Sequence, residues 1–248
     1  MMKITSLTNN TIKKFYSLKD KKYRDEYHLF IIEGMDNILE AKKANIISDI
    51  LFYGELDESL KGLDVNYIEV VDAIIAKLSF NKSYSNVIAI GKIIEKDIVL
   101  NKHILALDGV QDPGNGGSLV RSAKAFDFKT ILVSNDSFDI YNDKFIKASK
   151  GYNFTTNLIR GNLKQNLLSL KDKGYKLIGA DVHETAYKLS EFKCDDKFVL
   201  VLGNEGQGLS NEIKEILDGY VYIEMMNDVE SLNVAMAGSI IMHKVFVK

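Results

Sequence analysis

Three short stretches of the chain set polar side chains beside glycines or at the mouth of a helix, where they could serve a ligand. Asn115 and Arg121 stand across the run Asp108-Gly-Val-Gln-Asp-Pro-Gly-Asn-Gly-Gly-Ser118, which holds the only proline. Glu205 sits in Gly203-Asn-Glu-Gly-Gln-Gly-Leu-Ser210, directly after the apolar run Lys197-Phe-Val-Leu-Val-Leu202. Ser231 and Asn233 open an apolar C-terminal stretch. A strand, a glycine-rich turn and a helix in that order aim backbone N–H groups at an anion or the polar edge of a cofactor. A strand that stops among glycines lets the backbone approach a ligand closely, at the end of the sheet where open α/β folds bind. Each feature also has a plainer reading. Asn115 could cap a helix, Arg121 could join a surface salt bridge, Glu205 could be a loop carboxylate, and Ser210 and Ser231 could be N-caps.

Other chemistries find no support. There is no Ser/His/Asp arrangement, no hydrolase-type carboxylate pair and no metal cluster. The G-x-G-x-x-G spacing is missing, and no Gly-Lys-Ser/Thr marks a P-loop. His183 lies in the polar segment 181–196 without an evident partner and is not assigned a role. The single cysteine, Cys194, reads as incidental and fits a reducing cytoplasm rather than a disulfide framework. The net charge of −2 confines any nucleic-acid site to a local patch. One such patch is the basic N-terminus, where lysines alternate with Phe15, Tyr16, Tyr23 and Tyr27. It could grip phosphates and stack bases, or it could be a solvated helix face. No apolar run reaches membrane-spanning length, and the N-terminus lacks a signal-peptide core.

The elements that must position these residues form two α/β units. In the first, strands are predicted over 28–32, 46–53, 65–70 and 87–90, with helices over 35–43 and 71–78. In the second, strands are predicted over 103–107, 130–133, 175–180 and 198–202. Helices are expected over 119–126, 142–150 and 163–173. The stretch 231–246 would be a helix apolar around most of its circumference, which must be covered on several sides. The domain boundary is expected in the charged segment 92–102, giving domains 1–97 and 98–248.

Taken together, the three stretches resemble the motifs of the SpoU/TrmH family of RNA ribose 2′-O-methyltransferases, in the SPOUT class. They stand here as Asp112-Pro-Gly-Asn-Gly-Gly-Ser-Leu-Val-Arg121, as Gly203-Asn-Glu-Gly-Gln-Gly-Leu209, and as Ile223-Glu-Met225 with Ser231-Leu-Asn-Val234. Ile12-Lys13, the Lys21/Lys22/Arg24 cluster and Phe30-Ile-Ile-Glu-Gly34 are similar, more loosely, to the family's ribosomal-protein-like substrate-binding domain. Glu224 replaces a usual proline, Ser122 a threonine and Asp127 a glycine.

The resemblance implies an α/β C-terminal domain tied in a deep trefoil knot, a homodimer formed through it, and S-adenosylmethionine as cofactor. Gly203, Glu205, Ile223, Met225 and Leu232 would line the cofactor. The motif arginine, Arg121, would hold the ribose hydroxyl and stabilise the developing alkoxide, since arginine almost never gives up its proton. Asn115, Glu205, Ser231 and Asn233 would orient Arg121, the ribose and the loops. Lys13, Lys14, Lys21, Lys22, Arg24 and Lys147 would grip RNA. The expected substrate is 23S ribosomal RNA, in the cytoplasm and with no metal or membrane. Transfer RNA, or a non-catalytic RNA-binding role, are the alternatives.

Overall fold

The computed structural model describes residues 2–193, 197–226 and 231–247. Cys194 lies outside the described residues. The chain divides into two compact units, Met1–Glu95 with Tyr141–Thr155, and Lys96–Ile140 with Thr156–Lys248.

The first unit starts with β1 (Met2–Ile4), α1 (Asn10–Ser17), α2 (Lys21–Tyr27), β2 (Leu29–Glu33) and α3 (Met35–Lys43). It continues with β3 (Ile47–Phe52), β4 (Asn66–Val70), α4 (Asp72–Leu78) and β5 (Val87–Lys92). Its five strands lie in the order β1-β4-β3-β5-β2, with β5 antiparallel to both neighbours. The segment 141–155, placed in the second domain by a boundary at 97/98, belongs to this unit. Ile146 and Phe154 are buried there, and Phe154 and Tyr141 both pack on Phe30. Nothing local in 141–155 announces this, because its apolar spacing serves a core on either side equally well.

The second unit has β6 (His103–Leu107), α5 (Pro113–Ala125) and β7 (Thr130–Ser134). The helices α6 (Asp143–Ser149) and α7 (Tyr152–Thr155) of the first unit follow in sequence. Then come β8 (Asn157–Gly161), α8 (Leu163–Asp172), β9 (Lys176–Ala180), β10 (Tyr187–Lys188) and β11 (Phe198–Leu202). The chain ends with α9 (Asn211–Lys214), β12 (Gly219–Tyr222) and α10 (Val234–Phe246). Seven strands form a wholly parallel sheet in the order β10-β12-β9-β11-β6-β7-β8. Parallel sheets are covered on both faces, which is why β6, β7 and β11 read as unbroken apolar runs. Leu163, Leu167 and Leu170 of α8 bury against Ile104, Ala106, Val199 and Val201. Each such leucine contributes about 1.5–3 kcal/mol.

Helix α5 begins six residues before the predicted start at 119. Asp112 caps it, accepting from the N–H groups of Gly114 at 2.6 Å and Asn115 at 3.0 Å, with Pro113 in the first turn. Glycines weaken a helix interior by about 1 kcal/mol each. At Gly116 packing compels one: a Cβ there would stand 2.3 Å from the Phe138 ring. After the helix, Asp127 adopts φ 62°, the left-handed conformation that glycine takes without strain. Among the described residues, no helix is long and apolar enough to cross a membrane.

Candidate active site

The three stretches meet in the second unit. The Glu205 carboxylate accepts from Asn115 Nδ2 at 2.9 Å and from the backbone N–H groups of Gln111 at 3.1 Å and Asp112 at 3.3 Å. Asn115 Oδ1 accepts in turn from Asn233 Nδ2 at 2.9 Å. Asn233 spends its own Oδ1 on the N–H groups of Ala235 and Met236, and so caps α10. The cap is therefore Asn233, not Ser231. One chain of side chains, Glu205–Asn115–Asn233, ties the starts of α5 and α10 to the loop after β11. Burial raises the Glu205 carboxyl, but the hydrogen bonds from Asn115, Gln111 and Asp112 outweigh it and hold the group below its ordinary value.

The loop after β11 is closed by its own backbone. Asn204 and Gly208 exchange N–H···O=C bonds at 2.9 and 3.0 Å. Asn204 Oδ1 accepts from Gly206 and Gln207, and its Nδ2 donates to Gly109 O at 2.8 Å. A Cβ on Gly203 would lie 2.3 Å from Gly208 C and 2.5 Å from Leu209 N. Gly203 is thus required by the chain's own backbone, where the sequence reading gave the reason as a cofactor. Leu209 is buried, and Ser210 stands before α9 without capping it through its side chain. The Ser210 N–H goes instead to Asp108 at 2.7 Å. Asp108 is 5% exposed, and burial raises its carboxyl above the ordinary value despite that bond.

Helices α5 and α10 pack closely at Gly238, where a Cβ would meet Leu119 and Leu202 at 2.6 Å. Ser122 and Ser239 share a hydroxyl contact of 2.7 Å across the same pair. Behind the start of α10 lies a cavity of about 300 Å³. Val221, Ile223, Met225 and Leu232 give it apolar walls, and Ser231 and Asp181 line it with polar groups. Gly203 and Glu205 are not among its lining residues. Glu224, which replaces a usual proline, accepts from the Ser190 hydroxyl and so fixes the strand end beside this cavity. Arg121 is exposed on α5 and makes no hydrogen bond or ion pair with the described residues. The structure therefore joins Asn115, Glu205 and Asn233 and sets Ser231 on the cavity wall, while Arg121 is bonded to none of these among the described residues and does not line the cavity.

Sequence reasoning missed Asp108, Asp181 and Asn204. The first two carry a usable signal, since each stands just beyond the carboxyl end of a parallel strand. His183 stacks on Tyr220 with centroids 4.5 Å apart and does not line the cavity. Among the described residues, no group of three or more His, Cys, Asp or Glu gathers as a metal site.

In the first unit, Lys13, Lys14, Lys21 and Lys22 are exposed. Arg24 is a correction. It is 6% exposed, and its Nη1 donates to the carbonyls of Leu18 and Lys19, so its guanidinium is spent inside the unit. Lys147 is held by Asp143 at 2.7 Å and by Asn81 at 2.9 Å.

Comparison with known proteins finds family matches in both units. The model described as the SpoU rRNA Methylase family matches residues 102–243, and that of the MRM3-like substrate binding domain matches residues 9–89. A 23S rRNA (guanosine(2553)-2′-O)-methyltransferase of Bacillus subtilis is 29% identical over 98% of both chains. A solved structure described as an RNA 2′-O ribose methyltransferase superposes with a TM-score of 0.79 and 27% identity over 98% of both chains. An AdoMet-bound rRNA methyltransferase from Sinorhizobium meliloti superposes at 0.87 with 23% identity, over 98% of this chain and 96% of that one, a likeness of fold.

Proposed function

This chain belongs to the SpoU rRNA Methylase family, and from that membership we propose that it transfers a methyl group from S-adenosylmethionine to a ribose 2′-hydroxyl of 23S ribosomal RNA. The observation that carries the reading is the Glu205–Asn115–Asn233 chain, which brings residues from three separated stretches to one place.

The cavity behind α10 suits the cofactor. Its apolar walls offer cover for an adenine face, and Ser231 and Asp181 offer partners for a ribose or a cationic centre. Ile223, Met225, Leu232 and Ser231 would hold it. When bound, it supplies an electrophilic methyl group on a sulfonium. The protein must then place the hydroxyl in line and favour loss of its proton, which a phosphate of the RNA or water accepts. Arg121, exposed and unengaged among the described residues, is the residue for this: its fixed positive charge holds the hydroxyl and stabilises the alkoxide as it forms. Asn115, Glu205 and Asn233 act behind it by fixing the two helix starts and the loop.

The protein works as a cytoplasmic homodimer, its C-terminal unit tied in a trefoil knot. An outward apolar face on α10 supports the dimer: Met236 is 62% exposed, Ile240 42% and Phe246 56%. The lysines Lys13, Lys14, Lys21 and Lys22 meet RNA phosphates.

The test is methyl transfer from labelled S-adenosylmethionine to unmodified 23S and transfer RNA, with nucleosides identified by mass spectrometry. A 2′-O-methylated nucleoside from 23S RNA is the expected result. Transfer to transfer RNA alone would replace the substrate, and no transfer to either would remove the reaction.

A further inference from the structure

Two aromatic rings of the first unit's basic face are already taken by one another. Tyr23 and Tyr27 stack on each other at 6.1 Å, with Lys22 and Lys14 over their rings. Two rings are different. Tyr16, at the end of α1, is 45% exposed, and Phe80, in the loop after α4, is 37% exposed. One ammonium serves both: Lys19 Nζ lies 5.2 Å from each ring centroid. Lys77 Nζ lies 5.2 Å from the Tyr16 ring as well.

The loop that presents Phe80 is fixed from beneath. Glu33, 5% exposed, accepts from the Ser79 hydroxyl at 2.5 Å and from the Phe80 N–H at 3.0 Å. Lys19 Nζ donates to the carbonyls of Ser79 at 2.7 Å and Lys77 at 3.0 Å. A buried carboxylate and an ammonium thus hold an apolar ring out towards solvent. Holding it so in advance removes the ordering cost of a stacking contact.

We propose that Tyr16 and Phe80 form a stacking site for an unpaired base of the RNA, with Lys77 at its edge to attract the adjoining phosphate and Lys19 holding the two rings in place. Every base has a π-face, and aromatic platforms with lysines beside them suit single-stranded RNA. A duplex hides its base faces and gains nothing here. The assignment rests on the RNA substrate proposed above and adds the form of RNA that the first unit selects.

The experiment is binding of the full-length protein to a labelled oligouridylate of about ten nucleotides, whose bases are largely unstacked, against a duplex of the same length. Tyr16→Ala and Phe80→Ala should each weaken single-strand binding by about 5- to 150-fold, with the salt dependence unchanged because no phosphate contact is lost. Tyr16→Trp and Phe80→Trp should keep the affinity. The chain has no tryptophan, so the Phe80→Trp indole reports alone and should be quenched on binding. Alanine variants that bind like the wild type would overturn the site. So would alanine and tryptophan variants that weaken alike with lowered melting, since that is a packing role. Methyl transfer is read separately. A wild type that methylates 23S RNA while oligouridylate binding ignores both substitutions sinks the stacking site alone. A wild type that methylates no RNA while the alanine variants still lose oligouridylate sinks the proposed reaction alone.

Discussion

Asn115 Nδ2 donates to Glu205 Oε1 at 2.9 Å, and the opposite end of the same amide is taken by Asn233. Only a side chain with a donor and an acceptor on one planar group can serve both neighbours. Asn115→Asp replaces the donor with a second carboxylate facing Glu205. We expect it to cost about 1–3 kcal/mol in urea unfolding and to raise the Glu205 pKa. An unchanged unfolding midpoint would mean that the bridge carries no weight.

Glu205 gives a pH dependence of definite sign. Its folded pKa lies below its ordinary value, so the folded state holds this proton less tightly than the unfolded chain. The stability it adds is present above the unfolded pKa and is lost as pH falls through the folded one. Unfolding midpoints measured from neutral pH downwards should fall faster for the wild type than for Glu205→Gln.

The glycines of the second stretch are not equivalent. Gly203→Ala sets a Cβ against backbone atoms that cannot swing aside, and should cost about 1–3 kcal/mol or more. Gly206→Ala meets nothing nearer than 3.7 Å and should leave stability within about 0.5 kcal/mol. Thermal melting of the two variants, side by side, checks the difference.

Much of this was legible in the sequence because the signals were local. The apolar runs at 103–107 and 198–202 are strands with those bounds, and the 35–43 helix has the bounds its periodicity predicts. What escaped depended on distant partners. The glycines of 114–117 argue against a helix until Phe138 is seen to need the space beside Gly116. Arg24 reads as a surface cation until Leu18 and Lys19 turn their carbonyls towards it. Segment 141–155 packs with the first unit through Phe30, more than a hundred residues away. At the site, Asn115, Glu205 and Asn233 could be grouped from the motifs, but the order in which they bond could not.

Arg121 separates folding from chemistry. It is exposed and unengaged among the described residues, so Arg121→Ala should unfold within about 0.5 kcal/mol of the wild type. Methyl transfer should fall by about a hundredfold or more, the scale of losing one preorganised donor to a developing oxyanion. Arg121→Lys should not restore it, because a mobile ammonium does not reproduce a planar fork of donors. Near-normal turnover in either variant removes Arg121 from the reaction.

Asp108 should respond to pH in the sense opposite to Glu205. Burial lifts its pKa above the ordinary value, with Asp136 and Glu212 adding to the rise and the Ser210 N–H opposing it. The folded state therefore holds this proton more tightly than the unfolded chain. Its effect on stability is most favourable below the unfolded pKa and is eroded as pH rises through the folded one. Asp108→Asn keeps an oxygen for the Ser210 N–H and removes the buried charge. At neutral pH the variant should be at least as stable as the wild type, and the gap should close as the pH is lowered into the carboxylate range. Urea unfolding of both proteins across that range decides it: a variant less stable at neutral pH would mean that the carboxylate gains more from the Ser210 N–H than burial takes away.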